Sequence, residues 1–138
     1  MNKASMQILE SALYVDDLDA AEAFYEKILG LEKITRAGNR HVFFRCGPGV
    51  LLIFNPAATV IAPAGGQLQV PPHGTRGAGH LCFRATSDEI GEWAARLTAD
   101  GVDIESVVEW PGGGRSIYFR DPAGNSLEFA EARIWGLS

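Results

Sequence analysis

Residues 79–131, GHLCFRATSDEIGEWAARLTADGVDIESVVEWPGGGRSIYFRDPAGNSLEFAE, decide how the chain is read, because their pattern occurs a second time, weakly, in the first half. Laying ESALYVDDLDAAEAFYEKILGLEKI over HLCFRATSDEIGEWAARLTADGVDI puts Glu10 on His80 and Leu13 on Phe83, and brings Gly30 within one place of Gly101. Further on, Phe44 falls on Phe119, Gly49 on Gly124 and Leu52 on Leu127 at one constant offset. A long period with only two copies marks a duplicated supersecondary unit rather than a solenoid, and each copy needs cover for its apolar face.

Within the quoted stretch, His80 to Ala85 alternates as a strand, Ser87 caps a helix, and Ile90, Trp93, Ala94 and Leu97 form its apolar stripe until Gly101 ends it. Strands are expected near 104–109, 115–120 and 126–131, with Asp121-Pro122-Ala123-Gly124 turning between the last two. The first half repeats the plan. Residues 7–15 alternate, with Leu9, Leu13 and Val15 on one side and Glu10, Ala12 and Tyr14 on the other. Asp17 and Asp19 offer capping side chains, and Leu18, Ala21, Phe24, Tyr25, Ile28 and Leu29 recur at helical spacing until Gly30. Strands are expected near 31–37, 41–46 and 50–55, so each module reads β-α-β-β-β. The chain 1–138 is then one α+β domain: a first module (7–55), a Pro- and Gly-rich connection (56–79), a second module (80–131) and a C-terminal tail (132–138). A connection that long inside a compact domain is uncommon unless it is a lid, a binding loop or a linker.

Composition narrows the function classes. With 46% hydrophobic and 21% charged residues the chain is globular rather than disordered. No apolar run approaches the ~20 residues of a membrane span, and MNKASMQILESALYV lacks a signal-peptide core; a cytoplasmic location is expected. A net charge of −5 with scattered arginines argues against nucleic acid as the main partner. Cys46 and Cys82 form no C-x-x-C pair and read as reduced thiols. Gly112-Gly113-Gly114 is too short and misplaced for a phosphate-binding loop, so no nucleotide site is indicated.

Alternation also assigns faces. Leu9 beside Glu10, Leu81 beside His80, and Leu127 and Phe129 beside Glu128 would lie under a helix, which sends the polar members to the opposite face. The same rule places Tyr14, Phe43, Ile53, Ser116 and Tyr118 there. On a concave face two carboxylates and an imidazole would converge, and the carboxylates repel unless a cation sits between them. A divalent ion held by Glu10, Glu128 and neutral His80 would be charge-neutral and keep positions open for water or substrate. The metal-free alternative pairs Glu128 with Arg84 or Arg120. Arg76 and Arg115 are candidates for an anionic substrate group, and Trp110 and Trp135 for walls of a cavity.

The βαβββ duplication, the opening VDDLDAAEAFYEKILGLE and the closing YFRDPAGNSLEF resemble the vicinal oxygen chelate superfamily, which includes glyoxalase I, extradiol dioxygenases, fosfomycin-resistance enzymes and bleomycin-resistance proteins. The resemblance covers nearly the whole chain. It implies paired modules curled into a cup-shaped, partly open barrel around one cavity. It also implies one divalent metal ion (Fe, Mn, Zn, Ni or Mg), with ligands on the first strand of each module and the last strand of the second, which are Glu10, His80 and Glu128 here. A fourth ligand position used by glyoxalase I matches Ile53, which cannot bind metal, and this departure favours a three-ligand site. The similar tyrosine of extradiol dioxygenases, Tyr118 here, donates to a substrate oxygen. The catalytic histidine those enzymes carry upstream has no counterpart in Glu109-Trp110-Pro111-Gly112, so acid-base duty would pass to His73, in the loop before His80.

Phe43, Ile53 and Trp110, with Arg76 and Arg115, complete the expected substrate contacts. The expected activity is that of a metal-dependent lyase, isomerase or ring-cleaving dioxygenase acting on a small organic molecule with adjacent oxygens. The alternative is a metal-free drug- or metabolite-binding protein of the bleomycin-resistance type. Thiol transfer to a phosphonate finds little support, because Lys3, Lys27 and Lys33 all fall in the first module. The resemblance implies a homodimer, in which Glu10 serves its own subunit's site or the partner's.

Overall fold

The structure is a computed structural model that describes residues 5–138. The chain divides between Arg76 and Gly77 into two compact units, each built on one four-stranded sheet.

The first unit contains β1 (Glu10–Tyr14), α1 (Leu18–Ala23), β2 (Lys33–Ala37), β3 (His41–Cys46), β4 (Gly49–Phe54) and a short α2 (Pro56–Thr59). Its sheet runs β1-β4-β3-β2, with β1 parallel to β4 and the other pairs antiparallel. Asp17 caps α1 by accepting the Ala20 N–H, and the helix continues into a π-helical turn, Phe24–Ile28. Leu18, Ala21, Phe24, Tyr25 and Leu29 are buried, as are Leu13, Val42, Phe44, Leu51 and Ile53 from the sheet. A helix with one apolar stripe is stabilised mainly by such burial.

The second unit repeats this plan with β5 (His80–Arg84), α3 (Ser87–Ala99), β6 (Ser106–Glu109), β7 (Arg115–Arg120) and β8 (Ser126–Ala130), followed by a 3-10 turn at Ala132–Trp135. The order is β5-β8-β7-β6, again with the first and last strands parallel. The helix cap is Thr86 rather than Ser87. The Thr86 hydroxyl accepts the Glu89 N–H and the Glu89 carboxylate accepts the Thr86 N–H, a reciprocal box that leaves Ser87 as the first helical residue. Ile90 and Leu97 are buried with Ile117, Phe119, Leu127 and Phe129, and Trp93 stacks on Phe129 with ring centroids 4.7 Å apart.

The two registers correspond until the last hairpin. Glu10 pairs with Val50 and His80 with Ser126, while Arg45 faces Val50 and Arg120 faces Ser126. The β3–β4 hairpin closes at Cys46 and Gly49, whereas the β7–β8 connection Asp121–Asn125 holds one residue more between the corresponding pairs. The counterpart of Glu128 is therefore Leu52, because a one-residue slip sends a side chain to the other face. Ile53 lies on the helix-covered face with no exposed surface. This corrects its expected place both as a cavity-lining residue and as the match to a fourth ligand. Leu52 is equally unable to bind metal, so a three-donor expectation survives the correction.

The longer turn is also a clamp. Asp121 Oδ1 accepts the N–H groups of Ala123 (3.0 Å) and Asn125 (2.9 Å), and its Oδ2 accepts Asn125 Nδ2 (2.9 Å). Asn125 Oδ1 accepts the Gly79 N–H at 2.7 Å, and Ser126 N–H returns to the Gly79 carbonyl at 2.9 Å. Both side chains are buried, so the clamp fixes the start of β5 and sets His80 level with Ser126. Asp121→Ala leaves buried donors unpaired and is predicted to cost about 2–3 kcal/mol. Thermal unfolding checks this: a Tm lower by several degrees is expected, and an unchanged Tm contradicts the clamp.

Candidate functional site

In the second unit the parallel ladder sets Cys82 against Glu128, and the antiparallel ladder sets Tyr118 on its other side. His80, Cys82, Ser116, Tyr118 and Glu128 thus share the face opposite the buried leucines and phenylalanines of β5, β7 and β8. His80 Nε2 lies 3.2 Å from Glu128 Oε1; the imidazole is 52% exposed and the carboxylate 8%. His80 Nδ1 lies 2.9 Å from the Ser126 carbonyl oxygen. A carbonyl only accepts, so Nδ1 carries a proton and Nε2 is the ring nitrogen that faces the carboxylate.

Two electron-rich atoms at that distance call for positive charge between them, either a proton on Nε2 or a metal ion. Donors each ~2.0–2.2 Å from one shared ion sit roughly 2.8–3.6 Å apart at octahedral to tetrahedral angles. The observed separation fits. A carbonyl held by the distal nitrogen is also the usual support of a metal-binding histidine.

The guanidinium explanation for Glu128 does not apply. Arg84 hydrogen-bonds the Ser138 carbonyl, and Arg120 pairs with Glu105 at 3.1 Å and the Gly124 carbonyl at 3.0 Å. Glu128 instead receives a hydrogen bond from the Tyr118 phenol, while the neighbouring Cys82 thiol donates to the Phe83 carbonyl at 3.7 Å. Loss of water, then the hydrogen bond and charge of Glu128, push the Tyr118 phenol above its usual range. Loss of water followed by the Glu128 charge pushes the Cys82 thiol up to about 12. Both therefore keep their protons at neutral pH and act as donors. Ser116 hydrogen-bonds Tyr118 and accepts the Trp110 indole N–H at 2.9 Å. Trp110 in turn lines a hollow of about 230 Å³ with Pro111, Arg133, Ile134 and Trp135.

Among the described residues, no group of three or more His, Cys, Asp and Glu side chains gathers to hold a metal ion. Of the three expected donors the structure brings His80 and Glu128 together, and Glu10 stands exposed at the head of β1 in the first unit.

The matching face of the first unit is aromatic. Register places Glu10, Ala12 and Tyr14 with Val50, Leu52 and Phe54, and with His41, Phe43 and Arg45. Phe43 stacks flat on His41 with centroids 4.0 Å apart, and Phe54 meets Phe43 edge-on at 5.4 Å and His73 at 4.6 Å. The Tyr14 hydroxyl lies 2.6 Å from His73 Nδ1. An Arg40 guanidinium nitrogen lies 2.7 Å from His41 Nδ1, which must be the acceptor because a guanidinium only donates. Burial first, and the Arg40 charge second, hold His41 below the usual histidine range.

His41 is a member of this face beyond the expected residues, and its signal is its place two before Phe43, to which alternation gives the same face. Arg115 is corrected the other way. It alternates with Ser116 and sends its guanidinium to the Ser87 carbonyl at the start of α3 (2.9 Å), away from the face that carries His80 and Glu128. Arg76 pairs with Asp16 at 2.9 Å, both exposed. Lys33 is held by Glu22 at 2.9 Å, and Lys3 lies outside the described residues.

A family model for the Glyoxalase/Bleomycin resistance protein/Dioxygenase superfamily matches residues 7–129, and the chain belongs to that superfamily. It is 32% identical over 126 residues to virulence protein STM3117 of Salmonella typhimurium, covering 86% of this chain and 79% of that one. Among solved structures, a lactoylglutathione lyase from Agrobacterium tumefaciens is similar at 45% identity and a TM-score of 0.90, covering 96% of this chain and 98% of the other. The fosfomycin resistance protein FosX of Listeria monocytogenes is similar at 28% identity and a TM-score of 0.66, covering 91% of this chain and 90% of the other. These likenesses bear out the superfamily resemblance and the fold of duplicated βαβββ modules.

The environment of His41 carries a signed pH dependence. Because the folded protein resists protonating it, the unfolded state binds the extra proton first, and stability falls as pH drops below the ordinary histidine value. An NMR titration is expected to place His41 below that value. Arg40→Ala should raise it only in part, since burial is the larger cause. Complete recovery in that variant would contradict this ordering.

Proposed function

We propose that the protein is a divalent-metal-dependent enzyme that grips a small organic substrate through two adjacent oxygens and moves a proton beside a carbonyl, as a lyase or isomerase does. The observation that carries this reading is His80 Nε2 lying 3.2 Å from the buried Glu128 carboxylate, with Nδ1 held by the Ser126 carbonyl. His80, Glu128 and Glu10 are the ligands in this reading, with Glu10 supplied by its own subunit or by the partner in a homodimer. When bound, a divalent ion would supply Lewis-acid stabilisation of negative charge developing on substrate oxygens.

The chain's own residues do the rest. Tyr118, protonated at neutral pH, turns its phenol proton from Glu128 to a substrate oxygen when the substrate binds. His73 exchanges the proton, Phe43 and Trp110 give apolar contact, and Arg76 meets an anionic group in exchange for Asp16. The 45% identity to a protein named lactoylglutathione lyase supports lyase chemistry. Extradiol-type ring cleavage would use the same three donors and is separated by oxygen uptake. A second reading, a metal-free drug or metabolite binder, draws on the contiguous rings of Tyr14, His41, Phe43, Phe54 and His73. Two free thiols, Cys46 and Cys82, suit a cytoplasmic setting.

Protein purified without chelator is expected to carry about one divalent ion per chain and to consume the hemithioacetal of methylglyoxal and glutathione. His80→Ala and Glu128→Gln should weaken metal binding about 100-fold or more and abolish turnover. Absence of stoichiometric metal, with ligand affinity indifferent to Glu128→Gln, would establish the binder instead.

A further inference from the structure

His73 is held more firmly than a surface loop histidine needs to be. Its backbone N–H donates to the Thr59 carbonyl at 3.0 Å. A Cβ at the next residue, Gly74, would lie 2.8 Å from Val60 Cγ1 and 3.3 Å from Pro56 Cβ, so only glycine lets the segment close onto α2. That helix is itself fixed by Asn55, which accepts the Ala57 N–H and donates to the Asn39 carbonyl, each at 3.1 Å. These contacts already pin the backbone. The imidazole adds a separate constraint through Tyr14 Oη at 2.6 Å, with Phe54 against its edge. His41 packs on the same Phe54 ring, Arg40 lies over it, and Arg76 is engaged by Asp16. Tyr14 is thus the titratable group directly bonded to the His73 ring.

We infer that Tyr14 is the positioning residue of an acid-base pair. Its phenol oxygen accepts Nδ1–H of His73, fixes that tautomer, and leaves Nε2 bare as the base of the reaction. This rests on the lyase reading above. In the step, a substrate carbon next to a carbonyl gives its proton to His73 Nε2, and the electron pair of the broken C–H bond moves into the carbonyl, whose oxygen takes the charge. Nε2 then returns the proton to the former carbonyl carbon, while the hydroxyl on the first carbon passes its own proton to the charged oxygen and becomes the new carbonyl, so the imidazole ends neutral and no oxidant or reductant is consumed. While Nε2 holds the proton, the Tyr14 oxygen still accepts Nδ1–H and stabilises the imidazolium.

The pair is tested on the metal-loaded full chain in two ways. Nitrogen-15 NMR of the histidine rings is expected to show His73 as the Nδ1–H tautomer, and Tyr14→Phe, which keeps the ring packing, should release it toward Nε2–H. An Nε2–H tautomer in the unaltered protein overturns the inference. With the hemithioacetal as substrate, Tyr14→Phe should lower kcat about tenfold, with KM and metal content little changed and the acid limb of the pH–rate profile displaced. His73→Gln should lower kcat about 100-fold or more, and the double variant should be no worse than His73→Gln alone.

If Tyr14→Phe lowers Tm but leaves kcat and the pH profile unchanged, the bond is only a loop latch and the inference is wrong. Unaltered protein that binds metal yet leaves the hemithioacetal intact refutes the lyase reading and the base role with it. Protein that binds no metal refutes the metal reading, while the tautomer still decides whether Tyr14 orients His73.

Discussion

In each module the first strand leaves through a helix, two hairpins follow, and the fourth strand returns parallel to the first. That parallel pairing carries both halves of the candidate chemistry. In the second module it sets His80 level with Ser126, so one imidazole nitrogen reaches the Ser126 carbonyl and the other reaches Glu128 two residues along. In the first module it lays Tyr14 beside Phe54, the ring against which His73 rests. The Asp121–Asn125 turn matters because it fixes where β5 enters its ladder.

One frame therefore presents two different faces. Where the second module has His80, Ser116, Tyr118 and Glu128, the first has Glu10, His41, Phe43 and Leu52 at the corresponding ladder positions. Burying a carboxylate among polar donors is unfavourable without a compensating cation. The aromatic face carries no such penalty, since ring pairs contribute about 0.5–1.5 kcal/mol each beyond simple burial. The polar face of the second module and the aromatic face of the first thus follow different energetics, although both are built on the same strand order.

The sequence disclosed the duplication, the helices and most strands because alternation and 3.6-residue stripes are local signals. Register was hidden for a physical reason. Residues 50–54, VLLIF, are apolar on both faces, so nothing in the strand says which side is buried. The match of Gly49 with Gly124 conceals the extra residue in the second hairpin, so alternation from it puts Ile53 on the wrong face. Arg115 misled because one carbonyl at the start of α3 decides its direction, and no spacing rule encodes that contact. That His80, Tyr118 and Glu128 share one face was legible because their strands alternate cleanly. Their mutual geometry, and the Tyr14–His73 bond across a long loop, became visible only in three dimensions.

The central claim is that the His80–Glu128 pair is half of a metal site and not merely an ion pair. Anomalous diffraction from crystals grown with Mn²⁺ or Zn²⁺ tests it most directly. The account predicts a single strong peak about 2.0–2.2 Å from both His80 Nε2 and a Glu128 carboxylate oxygen. Well-ordered side chains still in direct contact, with no peak between them at saturating metal, would contradict it.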